Sequence, residues 1–158
     1  MLENTKNNGI FEMIENNLTF ESASVNKIKM NHIKTMLCGH FIGIDKLERL
    51  KLLKNDPLVR EFEISVKEPE TVSRFLSNFS FKTTQMLRES NFKVFKKLLS
   101  KSGLASITID IDSSVINVEG HQEGATKGYN PKKLGNRCYN IQFAFCDELK
   151  AYVTGFVR

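Results

Sequence analysis

The hydrophobic pattern of this 158-residue chain changes period near Ser102-Gly103, and that change limits the fold more than any other feature. Before it, apolar residues recur at helical spacing. Ile44, Leu47, Leu50 and Leu53 do so in IDKLERLKLLKND, and Asp56-Pro57 then supplies a break. Pro69 and Glu70 stand where a first helical turn favours them, followed by Val72, Phe75, Leu76 and Phe79 on one face. From about Lys82 to Leu99 a longer helix is expected to bring Leu87, Val94, Phe95 and Leu98 together. Residues 24–100 thus predict about four helices packed as one layer.

After Gly103 the period is two. ASITIDID alternates Ile107, Ile109 and Ile111 on one face with Thr108, Asp110 and Asp112 on the other. YNIQFAFCD and KAYVTGFVR are two further strand-like runs, and Asp147-Glu148-Leu149 between them reads as a hairpin turn. The expectation is an α+β chain: an unassigned segment at 1–23, a helical region at 24–101, and an antiparallel three-strand meander within 102–158. Three strands with a free edge make a poor independent domain, which suggests a missing covering element.

A net charge of +5 and a pI near 9.1 lean towards an anionic partner such as nucleic acid. Cys38, Cys138 and Cys146 are too few and too scattered for a disulfide framework, so a reducing compartment is expected. No run approaches the roughly 18 apolar residues of a membrane span, and MLENTKNNGIFEMIENN has neither a basic leader nor an apolar core. A soluble, cytoplasmic protein with no membrane partner is the expectation.

The chemistry-bearing residues concentrate after Gly103. A buried carboxylate costs several kcal/mol, of order 5, unless a cation or hydrogen bonds compensate it, so Asp110 and Asp112 within one strand call for an explanation. The polar connection 119–137, EGHQEGATKGYNPKKLGNR, is long enough to be functional or mobile, and Lys127, Lys132, Lys133 and Arg137 make it basic. A second basic stripe, Lys93, Lys96, Lys97 and Lys101, lies on the end of the long helix, and Thr71, Ser73 and Arg74 open a helix suited to phosphate contacts. Solvated helix faces have the same composition, so both readings stand. His32, Cys38 and His40 lack the paired spacing of a zinc site. Gly120, Gly124 and Gly128 lack the Gly-Lys-Ser/Thr ending of a phosphate-binding loop. His121 and Gln122 are candidates to touch DNA or to order the loop around Asp112.

ITIDIDSSVINVEGHQEGATKGYNPKK, followed by an aromatic strand and TGFVR, resembles the first-aspartate region of bacterial insertion-sequence transposases of the DDE type. LERLKLLKNDPLVREF and ETVSRFLSNF are similar to the helical N-terminal region of the same group, so the resemblance spans roughly residues 44–158. It implies that the meander is the first three strands of an RNase H-like sheet, here truncated, and that the protein acts on insertion-sequence DNA ends, as a homodimer in many such enzymes. It also implies DNA cleavage and strand transfer by two divalent ions about 3.5–4 Å apart, held by three carboxylates. Oxygen ligands suit Mg²⁺ or Mn²⁺.

Asp112 is the implied catalytic residue and metal ligand, because the family's aspartate directly precedes a Ser/Thr pair, here Ser113-Ser114. Asp110 is the secondary choice. DNA contacts are assigned to Lys127, Lys132, Lys133, Arg137, Arg74, Lys93 and Lys97. The family's second Asp and its Glu have no counterpart among residues 113–158, where Glu119, Glu123, Asp147 and Glu148 sit outside matching motifs. Hence the expectation of a truncated copy, inactive alone, with a non-catalytic DNA-binding module as the alternative.

Overall fold

In the computed structural model, which describes residues 9–57, 59, 64–120, 122–128, 130 and 134–157, helices precede an antiparallel sheet. The helices are α1 (Ile10–Asn17), α2 (Ala23–Phe41), a 3-10 helix (Leu47–Asn55), α3 (Pro69–Leu76) and α4 (Phe81–Ser102). The strands are β1 (Ile109–Asn117), β2 (Thr126–Lys127), β3 (Arg137–Cys146) and β4 (Ala151–Val157). The α+β expectation holds at this level. The chain divides into two compact units at Ser90/Asn91, inside α4, whereas the periodicity changes about three turns of helix later, at Ser102-Gly103.

In the first unit the turn into α2 is built from short polar side chains. Ser22 Oγ accepts the Val25 amide at 3.5 Å, and the Asn26 side chain holds both the amide (2.9 Å) and the carbonyl (2.7 Å) of Phe20. Lys29 is buried because its ammonium donates to the carbonyls of Glu15 and Leu18, the unpaired acceptors at the end of α1. Pro69 opens α3, whose buried Val72 and Phe75 join two adjoining cores. Cys38, Leu50, Leu53, Val59 and Ile64 fill one; Leu18, Phe20 and Ile33 fill the other.

One expected grouping on α4 is corrected. Leu87 and Leu98 are each 37% exposed, while the buried positions are Thr83, Ser90 and Phe95. The cause is that α4 is divided between the units, its first half packing within the first and its second half within the second. Its first half is anchored by polar contacts in the first unit: Ser80 Oγ accepts the Thr83 amide at 3.2 Å, and Asn17 Nδ2 donates to the Met86 carbonyl and to Ser90 Oγ, both at 2.9 Å. In the second unit Phe95 and Leu99 meet Cys146, Val153, Ala144 and Ile107.

The sheet is organised by β3. β1 pairs with it antiparallel from Ile109↔Cys146 to Asn117↔Cys138, and β4 pairs along its other edge with a bulge between Ala144 and Phe145. The expected hairpin is present, with Asp147–Lys150 as its turn. The two-residue β2, which the period-two reading misses, pairs with the Arg137–Cys138 end of β3. Ile109 and Ile111 do not sit on a covered face as the alternation suggests. They are 40% and 75% exposed, because the packing against Phe95 centres on Cys146 and Val153.

Candidate functional site

Directly paired residues in an antiparallel ladder share a face. Asp110 therefore stands beside Phe145, and Asp112 beside Phe143. β4 adds Tyr152 opposite Phe145. The three rings form one cluster, with centroids 6.1 Å apart for Phe143–Phe145, 5.7 Å for Phe145–Tyr152 and 6.4 Å for Phe143–Tyr152. This face is open: both aspartates are exposed, as are Phe145 and Tyr152.

Exposure answers the question that a strand-borne acid pair raises, because neither carboxylate is desolvated and no cation is required. Asp112 Oδ1 accepts the next amide, Ser113 N, at 2.8 Å. Asp110 contributes, after Asp147 and Glu148, to the field that raises the pKa of Lys150; the hydrogen bond from Lys150 to Asp147 is the largest cause.

Asp110 and Asp112 are about 6.6 Å apart along the strand, at ~3.3 Å per residue. Among the described residues no group of three or more His, Cys, Asp or Glu could hold a metal ion. Two carboxylates do not make the three-carboxylate, two-ion set that the resemblance implies. The zinc alternative meets a packing answer. His32 is buried, stacks on Phe75 at 4.6 Å and uses Nδ1 on the Ile28 carbonyl at 3.0 Å, while Cys38 lies in the core.

The basic candidates fall in several places. Lys127 is exposed on β2 and pairs in register with Arg137. Arg137 is half-buried and reaches the Ala125 carbonyl at 3.5 Å. The pair sits six residues along β3 from Phe143, the partner of Asp112, or ~20 Å at about 3.4 Å per residue. Lys127 and Arg137 are thus together, and apart from the acids. Arg74 is exposed in the last turn of α3, and Lys93 and Lys97 lie on α4 with Lys93 the more exposed. Lys132, Lys133 and His121 lie outside the described residues.

Sequence reasoning misses Glu148, placing it only in a turn. Its carboxylate accepts the Thr108 amide (2.9 Å to Oε2, 3.0 Å to Oε1) and the Thr108 hydroxyl (2.8 Å), with Cys146 Sγ at 3.5 Å. These donors, led by the Thr108 amide, lower its pKa to about 2. The contact fastens the hairpin turn to the residue before β1. No local pattern announces a partner 40 positions away.

Comparison with protein-family models, with curated proteins and with solved structures gives no match. Among the described residues no helix is long and apolar enough to cross a membrane.

Proposed function

We propose that this chain acts in DNA transposition, as a protein related to insertion-sequence transposases of the DDE type, with β1, β3 and β4 as the opening strands of an RNase H-like sheet. The observation that supports this most is the apolar-Asp-apolar-Asp-Ser run on β1, which presents both carboxylates on an open sheet face, downstream of a helical unit and ahead of a hairpin. That order is the one the resemblance implies. On this reading Asp112 is the first acid of the metal-dependent site, Asp110 stands beside it, and Lys127, Arg137, Arg74, Lys93 and Lys97 contact phosphates. Mg²⁺ or Mn²⁺ belongs to the complete site and not to the two carboxylates alone.

A second reading is a non-catalytic DNA-binding module. It is favoured by one observation: among the described residues no third ligand joins Asp110 and Asp112. Fluorescence anisotropy with labelled DNA tests what the two share. If the five basic residues named above meet phosphates, log affinity should fall with log salt at a slope of about −4. A flat response sinks both readings. Asp112→Ala separates them. A Mg²⁺-dependent nick that this substitution abolishes supports the transposase, and unchanged affinity with no nicking by either protein supports the module.

A further inference from the structure

The second half of α4 carries a feature that the transposase reading leaves unused. Between Glu89 and Asp110 the chain holds Lys93, Lys96, Lys97 and Lys101 and no acidic residue, so this stretch has the local potential of an anion-binding surface. Within that surface stands an aromatic ring that the core does not take. Phe92 is 45% exposed, although Phe95, three residues on, is buried against Cys146 and Val153. The two rings lie nearly parallel, 26° apart with centroids at 6.3 Å, so the buried Phe95 stands beside Phe92 on the helix. The Lys96 ammonium lies over the Phe92 ring at 5.8 Å from its centroid.

An exposed ring beside several lysines is the combination by which proteins hold unpaired nucleotides: the ring stacks on a base and the cations meet the backbone. Duplex DNA offers phosphates to the same lysines but no free base face to the ring. We infer that Phe92 and Lys96 form a stacking site for an unpaired nucleotide of single-stranded DNA. In the free protein the Lys96 ammonium occupies the ring face. When a base takes that face, the ammonium moves to the neighbouring phosphate, exchanging a weak exposed cation–π contact for a direct ion pair. At about 100° per residue, Lys93 and Lys97 fall together on one flank of the Phe92–Lys96 ridge of the helix, so the strand's backbone has cations along that flank of the stacked base. The inference rests on the DNA reading above and narrows it to DNA with unpaired bases.

The test measures anisotropy of a labelled single strand of roughly 15 nucleotides, and of the duplex made from it, at one fixed salt concentration. Phe92→Ala and Phe92→Leu should each weaken single-strand binding by about five- to 150-fold while leaving duplex binding unchanged, and Phe92→Tyr should restore it. Lys96→Gln should flatten the single-strand salt slope by about one. Phe92 keeps a ring contact with Phe95, so its truncation should lower the urea midpoint modestly; affinities are compared with each variant fully folded by circular dichroism, which separates a lost contact from a lost fold. Unchanged single-strand affinity in Phe92→Ala overturns the inference and leaves the DNA reading standing. An equal loss on single strand and duplex also overturns it. If the parent binds neither, both the inference and the DNA reading fail.

Discussion

Gly155, in the TGFVR run, is the residue whose replacement the structure argues against most sharply. A Cβ built there would lie 2.6 Å from Tyr152 Oη, 2.8 Å from the Gln142 carbonyl oxygen and 3.2 Å from Phe143 Cδ1. The hydroxyl end of Tyr152 can swing aside. The Gln142 oxygen cannot, because Gln142 pairs with Phe156 on β4 and with Ser113 on β1. Ordinary contact begins at 3.4 Å, so β4 must withdraw from β3 by several tenths of an ångström. Overpacking of this kind costs about 1–3 kcal/mol. Displacing Tyr152 from Phe143 and Phe145 adds ~0.5–1.5 kcal/mol per loosened aromatic pair. Against this, alanine is favoured over glycine inside a strand by roughly 0.5–1 kcal/mol. Gly155→Ala should therefore destabilise by about 1–5 kcal/mol, the net of these three effects with both Tyr152 pairs loosened at the upper end. Urea unfolding followed by tyrosine fluorescence is the assay. There is no tryptophan, and Tyr129, Tyr139 and Tyr152 all belong to the second unit, so the signal reports that unit alone. With an m-value near 1 kcal/mol/M the midpoint should drop by at least roughly 1 M, and by up to about 5 M or to complete unfolding if both pairs loosen. In a Tyr152→Phe background, read by circular dichroism, the loss should persist, since the carbonyl clash remains. An unchanged or raised midpoint for Gly155→Ala refutes the reasoning.

Glu148 links stability to acid. Its folded pKa, about 2, lies below the ordinary 4.5, so the folded chain binds fewer protons than the unfolded one between those values. The stabilisation is complete above pH 4.5 and is lost as pH falls through about 2. Glu148→Gln should lower the midpoint at neutral pH and flatten its decline across that window; an unaltered decline would place the acid sensitivity elsewhere. Gly39→Ala tests close packing in the first unit, where the new Cβ would stand 2.7 Å from Leu50 Cδ2. Leu50 is buried, so the usual helix gain of ~0.5–1 kcal/mol for alanine should be outweighed by overpacking of about 1–3 kcal/mol. Adding Leu50→Val should recover part of the loss in thermal or urea unfolding, and simple additivity of the two losses would contradict the contact.

Particular residues show what the sequence made legible. The Ile/Asp alternation placed a strand at 109–112 with both acids on one face, and Pro69 with Val72 and Phe75 placed α3 and its buried side. Periodicity names the two faces of an element but not which one is covered. Ile111 is exposed, and Thr83 and Ser90 are buried, because a tertiary neighbour decides each case. α1 has only eight residues, and its cap, Gly9 at φ 63, has no side chain to signal a start. β2 is two residues long and below any period. Of the candidate site, the shared face of the two acids was readable; Lys127 and Arg137 were read within one polar connection, whereas they pair between β2 and the start of β3. The aromatic floor of Phe143, Phe145 and Tyr152 depends on the β3–β4 register and its bulge, which no local pattern carries.

The way β1 is held bears on how its acids can be studied. A half-buried strand is ordinarily fixed by the apolar face it hides, yet Ile111 and Ile116 are largely exposed and none of its residues is buried. What holds it is backbone: a ladder from Ile109 to Asn117 along β3, extended by the Val118 amide on the Arg137 carbonyl at 3.1 Å and by Glu148 on Thr108. Asp112 contributes to this only through a local bond to Ser113 N, which water can replace at an exposed site. Its carboxylate is therefore positioned by the strand and is not needed to form the strand. That separation of position from support makes Asp112→Ala a clean probe, since lost activity in that variant would report the carboxylate's chemistry rather than a collapsed sheet.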